Sequence, residues 1–543
     1  MAAVRKGPVV CKFCERLHRS YPQAHLLQRR LISDTASSSE WKSVVGLEIH
    51  AQIATSSKLF SGAATKFGEP INSQVSPFDA ALPGTLPVLN KECVKAGILT
   101  ALALGCTVNR MSKFDRKHYF YADLPAGYQI TQQRQPLAHS GHVDYVHYRS
   151  MKGQTDTAET RSCRLIQLQL EQDSGKSLHD AEDQQSLIDL NRAGVGLMEL
   201  VTQPDLTDGE DAASFVKELQ LILRTIGTCD GKMQEGSLRV DANISVHKPG
   251  EPFGVRTEVK NINSFRNVSK AIDFEIQRQV KILESGGSVE NETRSFDAET
   301  NETVPMRDKE KLLDYRFMPE PNLPPLYVYN NESVPPGADT DRIVVLEKVR
   351  EGLRELPGEK RQRIQEQYSI PLRSASLLVS EEGLLEVFEE LVKDGAHDMK
   401  SVLRVLLHDY LGVLRKHDYT VAQCPIKMDA IGDVCDLVAA QEIIPASVYK
   451  MMCELAEKPE LSVKEIVDRD NLRLIQDRKL IEQVIFEVLE SEPKVLKKLR
   501  KANSKGNGLV LKPLLGPVQQ RLDQRGNHVI ITEIAQEILK KML

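Results

Sequence analysis

The residues best suited to chemistry in this chain lie on segments that alternate with period two. In Val44–Ile53 the odd positions Val45, Leu47, Ile49, Ala51 and Ile53 are apolar, whereas the even positions carry Glu48, His50 and Gln52. Arg164–Glu171 places Ile166, Leu168 and Leu170 opposite Gln167, Gln169 and Glu171. Arg239–Val246 sets Val240, Ala242, Ile244 and Val246 against Arg239, Asp241, Asn243 and Ser245, and Val255–Asn261 puts Arg256, Glu258 and Lys260 on one side. A strand sends alternate side chains to opposite faces, so each segment has an apolar wall and a polar one. A solvated sheet face would favour Thr and other strong strand formers, yet these polar walls repeat Asp, Asn and Glu, types that strands disfavour. Brought onto one sheet, Glu48, His50, Glu171 and Glu258 would form an oxygen-rich site suited to Mg2+, an ion that keeps waters and bridges phosphates. Arg239, Arg256 and Lys260 would offset phosphate charge.

Such strands need a sizeable core, and the chain can supply one. Its 543 residues allow about three domains. With 41% hydrophobic and 27% charged residues it has an ordinary globular composition, which argues against disorder, collagen and disulfide scaffolds. The apolar run Ala96–Asn109 is shorter than the roughly 18 residues of a bilayer-spanning helix, so it reads as a buried helix and no membrane span is expected. Helices are predicted at Lys91–Leu104, Gly209–Ile226 and Arg266–Glu284, the last stopped by Gly286–Gly287. Six prolines between Met318 and Gly337 mark a boundary. Beyond Asp341 apolar residues recur at helical spacing, with a further break near Lys458–Pro459.

Charge is unevenly distributed. The net charge is −5, but residues 1–33 carry +6 and residues 494–543 carry +8, which leaves −19 on residues 34–493. A basic tail on an acidic body fits a polyanion gripped at one end, with cations needed to admit one to the body. The Arg- and Ser-rich start, which lacks an apolar core, matches a mitochondrial transit peptide. Cys11, Cys14 and His18 within it have no second pair to complete a zinc site. The other seven cysteines are scattered and read as reduced core residues.

The common nucleotide motifs are missing. Asp173-Ser-Gly-Lys-Ser177 resembles the end of a P-loop, but Leu170 stands where its first glycine would be, and no G-x-G-x-x-G occurs. Arg110-Met-Ser-Lys113 is similar to the lysine loop of class I aminoacyl-tRNA synthetases, but the accompanying H-x-G-H is absent.

Seven long motifs in order resemble the B subunits of the glutamyl-tRNA(Gln) amidotransferases, the GatB/GatE family. They are Val45-Gly-Leu-Glu-Ile-His50, Lys113–Tyr121 with Ala126-Gly-Tyr-Gln-Ile130, Glu171–Ser177, Asp189-Leu-Asn-Arg192, Glu235–Ser245, Glu258–Ser264 and Asp314–Glu320. With the basic leader, the chain looks like a mitochondrial form. The resemblance implies an α+β fold: a catalytic "cradle" on a curved antiparallel sheet over residues 41–335, after a transit peptide at 1–40. It also implies an all-α domain at 341–460 and a small basic helical tail at 461–543 that touches tRNA. The implied reaction uses ATP and Mg2+ to phosphorylate the γ-carboxylate of glutamate mischarged on tRNA(Gln), after which ammonia displaces phosphate. Ammonia comes from glutamine on an amidase (glutaminase) partner, and a small third protein makes up a heterotrimer in the mitochondrial matrix.

Residue by residue, the resemblance implies that Glu48, His50, Glu171 and Glu199 hold the metal, with Glu258 a further ligand. Lys176, Arg239 and Lys260 would contact phosphate, with Ser177, Arg192 and Asn261 also on the nucleotide side. Asp241 and Asn243 would orient the glutamyl end or a second metal. The chain departs from the family in Gln169-Leu-Glu-Gln-Asp173, where His-Leu-Glu-Glu-Asp is usual, so Gln169 and Gln172 each replace a possible ligand. The other reading is a tRNA-binding scaffold without catalysis, for which these two glutamines are the only hint. No glutaminase signature is found, so an ammonia-supplying partner is expected.

Overall fold

The period-two segments form strands of one sheet. In this computed structural model, residues 41–149, 157–180, 183–306, 316–339, 342–503 and 511–542 are described. The leader with Cys11 and Cys14, and Gly506 of the tail, lie outside them. The strands are β1 (Lys42–Gln52), β2 (Thr107–Val108), β3 (Ala138–Arg149), β4 (Thr157–Gln172), β5 (Gly196–Thr202), β6 (Leu238–His247), β7 (Thr257–Ile262), β8 (Thr293–Asp297) and β9 (Glu302–Pro305). They lie in the order β9-β8-β7-β6-β1-β5-β4-β3-β2. All pairs are antiparallel except β7 with β8.

Three helices cover the apolar face, each started by a side chain that satisfies a free backbone N–H. Asn90 accepts from Glu92 N at the start of α1 (Lys91–Ala103), Asp208 from Asp211 N at α2 (Gly209–Thr225), and Ser264 from Asn267 N at α3 (Phe265–Glu284). Gly286, at φ +81, follows the end of α3. α1 packs on β4, α2 on β3 and α3 on β6. Val45, Leu47, Ile49, Leu168, Leu170, Val240 and Ile244 join Phe215, Leu219 and Ile272 in one buried cluster. The antiparallel sheet with helices on one face, followed by a helical region, is the expected α+β class.

In one respect the alternation differs from the sequence reading. Ile166 is 41% exposed, and Leu165 is the buried neighbour. The pairing of β5 with β4 shifts register between Val201 and Thr202, and that irregularity reverses which parity faces the core.

The proline-rich segment contributes two short strands: Arg316–Pro319 pairs with Asp115–His118, and Leu326–Tyr329 with Met111–Ser112. The chain divides into two compact units, the first ending at Gly358 and the second starting at Glu359. The second is helical. Its last four helices, Arg478–Ser491, Pro493–Asn503, Lys512–Arg521 and His528–Met542, enclose a core of Ile481, Ile485, Val488, Leu499, Leu514, Val518, Ile531 and Leu539. Pro513 sits in the first turn of its helix, where its missing N–H costs nothing, and Pro517 lies inside the same helix. Among the described residues no helix is long and apolar enough to cross a membrane. The seven described cysteines are all free thiols, six of them buried.

Candidate metal centre on the polar sheet face

Strand register decides which polar side chains meet. His50 on β1 is paired with Glu199 on β5 and with Arg239 on β6, and Glu199 is paired in turn with Gln169 on β4. Gln169, Glu199, His50 and Arg239 therefore make one row across four strands. In the row on one side, Leu197 separates Gln52 from Glu171; in the row on the other, Glu48 lies between Val201 and Asp241. Beyond that, Asn243 is paired with Gly46 and Glu258.

Three of the expected ligands converge. His50 Nε2 lies 3.9 Å from Glu171 Oε1 and 4.0 Å from Glu199 Oε2. Among the described residues, His50, Glu171 and Glu199 form the group whose donor atoms all lie within 4.8 Å of one another. Glu48 and Glu258 stand outside it. Asn243 Nδ2 donates to Glu48 Oε1 at 3.2 Å, while Glu258 accepts from Thr293 at 3.4 Å and lies 3.9 Å from Lys260 Nζ.

Burial sets the proton states. Desolvation, then Arg239, Lys117 and Lys260, hold His50 well below the ordinary imidazole range, which leaves a neutral ring able to ligate. Burial and the charges of Glu171 and Glu48 push Glu199 up to about 8, against the pull of Lys117 and Gln169. Asp241 rises to about 6, mainly by burial, although Asn261 N–H donates to its Oδ1 at 2.8 Å. Burial also raises Glu258.

The residues fit a divalent cation. Glu171 Oε2 is buried without a hydrogen-bond partner, a costly state for a carboxylate oxygen. Two carboxylates and one neutral imidazole suit Mg2+ or Mn2+.

The expected phosphate contacts divide. Arg239 pairs with Asp173 at 3.0 Å and keeps a place in the central row. Lys260 and Asn261 together oppose Asp241 where β7 bulges against β6, and Asn261 adopts a left-handed φ of 56, which its short polar side chain tolerates. Lys176 is exposed on a two-stranded ribbon, and Ser177 Oγ donates to Asp123 Oδ2 at 3.0 Å. Arg192 is engaged in shaping the chain: it pairs with Asp173 at 3.2 Å and donates to the carbonyls of Ser174 and Gly175. Arg256 is exposed and precedes β7.

Two further residues enter the site. Lys117 Nζ stands 3.9 Å from Glu171 Oε2, and Asp173 joins Arg192 to Arg239. The mixture of charge and aromatics in Lys113–Tyr121 was the available signal for Lys117. For Asp173 the signal was only its position two residues after Glu171.

Comparison with known proteins supplies the family. The GatB/GatE catalytic domain model matches residues 43–333, and a GatB domain model matches 386–543. A Danio rerio protein named as the B subunit of mitochondrial glutamyl-tRNA(Gln) amidotransferase is 49% identical over 94% of this chain and 92% of its own. The Homo sapiens protein of that name is 48% identical over 92% and 89%. The B subunit of an aspartyl/glutamyl-tRNA(Asn/Gln) amidotransferase from Rickettsia canadensis is 40% identical over 92% and 98%.

Proposed function

Since the chain belongs to the GatB/GatE family, we propose that it acts as an amidotransferase subunit that converts Glu-tRNA(Gln) to Gln-tRNA(Gln) in mitochondria. The observation that carries the proposal is the convergence of His50, Glu171 and Glu199 from three strands into one group in which both carboxylates are buried. The glutamyl γ-carboxylate attacks the γ-phosphorus of ATP, and ADP departs with its bridging oxygen. Ammonia then attacks the acyl carbon, phosphate leaves, and the nitrogen sheds a proton to give the amide. A carboxylate acylates poorly, so the phosphate supplies the leaving group it lacks.

Such a transfer depends on positioning and neutralised charge more than on a protein nucleophile. His50, Glu171 and Glu199 would hold a divalent ion, with Glu48 and Glu258 as further carboxylates on the same face, and such an ion would supply Lewis-acid neutralisation of phosphate charge. Lys117, Arg239 and Lys260 set cationic groups around the same face, with Lys176, Ser177 and Asn261 toward the nucleotide. Asp241 and Asn243 orient the glutamyl end. Arg192 holds the Asp173–Gly175 turn in shape.

Ammonia comes from a partner amidase, the glutaminase of a heterotrimer that a small third protein holds together. The Arg-rich leader and the mitochondrial relatives support a matrix location. The second unit's basic end grips tRNA.

The test is amidation of Glu-tRNA(Gln) by the reconstituted complex, with glutamine or ammonium as donor. Glu48→Ala and Glu171→Ala should each lose most activity and His50→Ala nearly all. Wild-type rates in both glutamate variants would refute the site assignment.

A further inference from the structure

Gln169 is 1% exposed and lies directly opposite Glu199 across the β4–β5 pair. Its Nε2 donates to Glu199 Oε2 at 2.6 Å and to Thr131 Oγ1 at 3.3 Å, while its Oε1 accepts from Gln167 Nε2 at 2.8 Å. A carboxylate oxygen accepts, so the NH2 group of Gln169 faces Glu199 and its Oε1 turns to Gln167.

The oxygen that Gln169 holds is also the one nearest His50, 4.0 Å from Nε2. We propose that Gln169 is a positioning residue for the ion centre, fixing the Glu199 carboxylate so that Oε2 offers its remaining lone pair beside His50 and Glu171. Opposite strand residues share a face, so the register delivers the donor to that oxygen. An amide suits the task because it donates without charge. A cationic donor at the same place would repel an incoming divalent ion, and a second carboxylate would repel Glu199. This inference rests on the ion-centre reading and adds to it the device that aims one ligand. Outer partners of ligating groups are typically worth about 10–100-fold in metal affinity.

The test is Mn2+ binding to the purified full-length chain, followed by electron paramagnetic resonance and titration calorimetry. Gln169→Leu should raise the Mn2+ dissociation constant about 10–100-fold. The circular dichroism spectrum and the melting midpoint in EDTA should stay at wild-type values, as they would not if the residue only supported the fold. Gln169→His keeps a ring N–H donor and should return affinity to within a few-fold of wild type. If the leucine variant does not fold, Gln169→Met removes the donor at nearly constant size without adding a charge or a hard ligand. Wild-type affinity in the donor-less variant, beside a weakened His50→Ala control, overturns the role of Gln169. Wild-type protein that binds no Mn2+, or His50→Ala that binds it equally well, overturns the ion centre itself.

Discussion

Replacing Asp79 by asparagine should destabilise the first unit by about 3–5 kcal/mol at pH 7, and by less as pH rises. Lys58 is fully buried, with Nζ 3.1 Å from Asp79 Oδ2 and 3.4 Å from the Leu190 carbonyl. Asparagine keeps an acceptor there but no charge, so the ammonium either stays charged without its nearest counter-ion at high cost or gives up its proton. Burial already holds Lys58 below a lysine's ordinary 10.5, with Asp79 opposing that shift. Deprotonation from that value at pH 7 spans about 3.5 pH units at about 1.4 kcal/mol each, which sets a ceiling near 5 kcal/mol. The sign of the pH effect follows. Loss of the Asp79 charge lowers folded-state Lys58 further while the unfolded chain stays protonated up to about 10.5, so the variant's stability should rise with pH between 7 and 9, by at most about 1.4 kcal/mol per unit. Lys58→Met should cost less, about 1–3 kcal/mol, because Asp79 retains Ser61 Oγ and Ser76 N–H as donors. The double variant Lys58→Met/Asp79→Leu should recover most of the loss. Urea unfolding read by Trp41, the chain's one tryptophan and the residue before β1, checks this. Equal costs for the two single variants, or no recovery at pH 9, would refute the reasoning.

The other expectations concern separate elements. Gly194 has φ +83, and a Cβ there would meet Asp79 Oδ1 at 2.6 Å, so Gly194→Ala should cost about 1–3 kcal/mol in the same urea assay. Burial raises Asp273 to about 6 while Gly209 N–H donates to it, so the native chain loses stability as pH rises from about 4 to 6. Asp273→Asn should flatten that dependence and add about 1–2 kcal/mol at pH 7, as denaturation at pH 4.5 and 7 would show. Lys494 and Lys497 are exposed on a helix whose Val495 and Leu499 are buried, so charge reversal tests tRNA grip without removing core. Lys494→Glu/Lys497→Glu should lower tRNA affinity and reduce the salt slope by about one unit for each phosphate no longer neutralised, with ATP hydrolysis unchanged. Unchanged tRNA affinity at physiological salt would dispose of that role.

Local chemistry alone made much of the first unit legible. Alternation over Val44–Ile53 placed Glu48 and His50 on one wall because a strand's two faces are set by backbone geometry. The helices expected from Lys91, Gly209 and Arg266 start at Lys91, Gly209 and Phe265, where Asn90, Asp208 and Ser264 satisfy free N–H groups. What no local rule could decide was which carboxylate joins His50. Glu199 meets it across about 150 residues of intervening chain because the β1–β5 register sets them opposite, while the same register gives Glu48 the apolar Val201. The β5–β4 irregularity turned Ile166 outward, and pairing across the sheet gave Gln169 a carboxylate to hold. The sequence by itself determined that a polar, charge-bearing face exists and that Glu48, His50, Glu171, Asp241 and Glu258 belong to it, but not Lys117 or Asp173. Long-range register, fixed only when the whole sheet assembles, decided that His50, Glu171 and Glu199 are the three that converge.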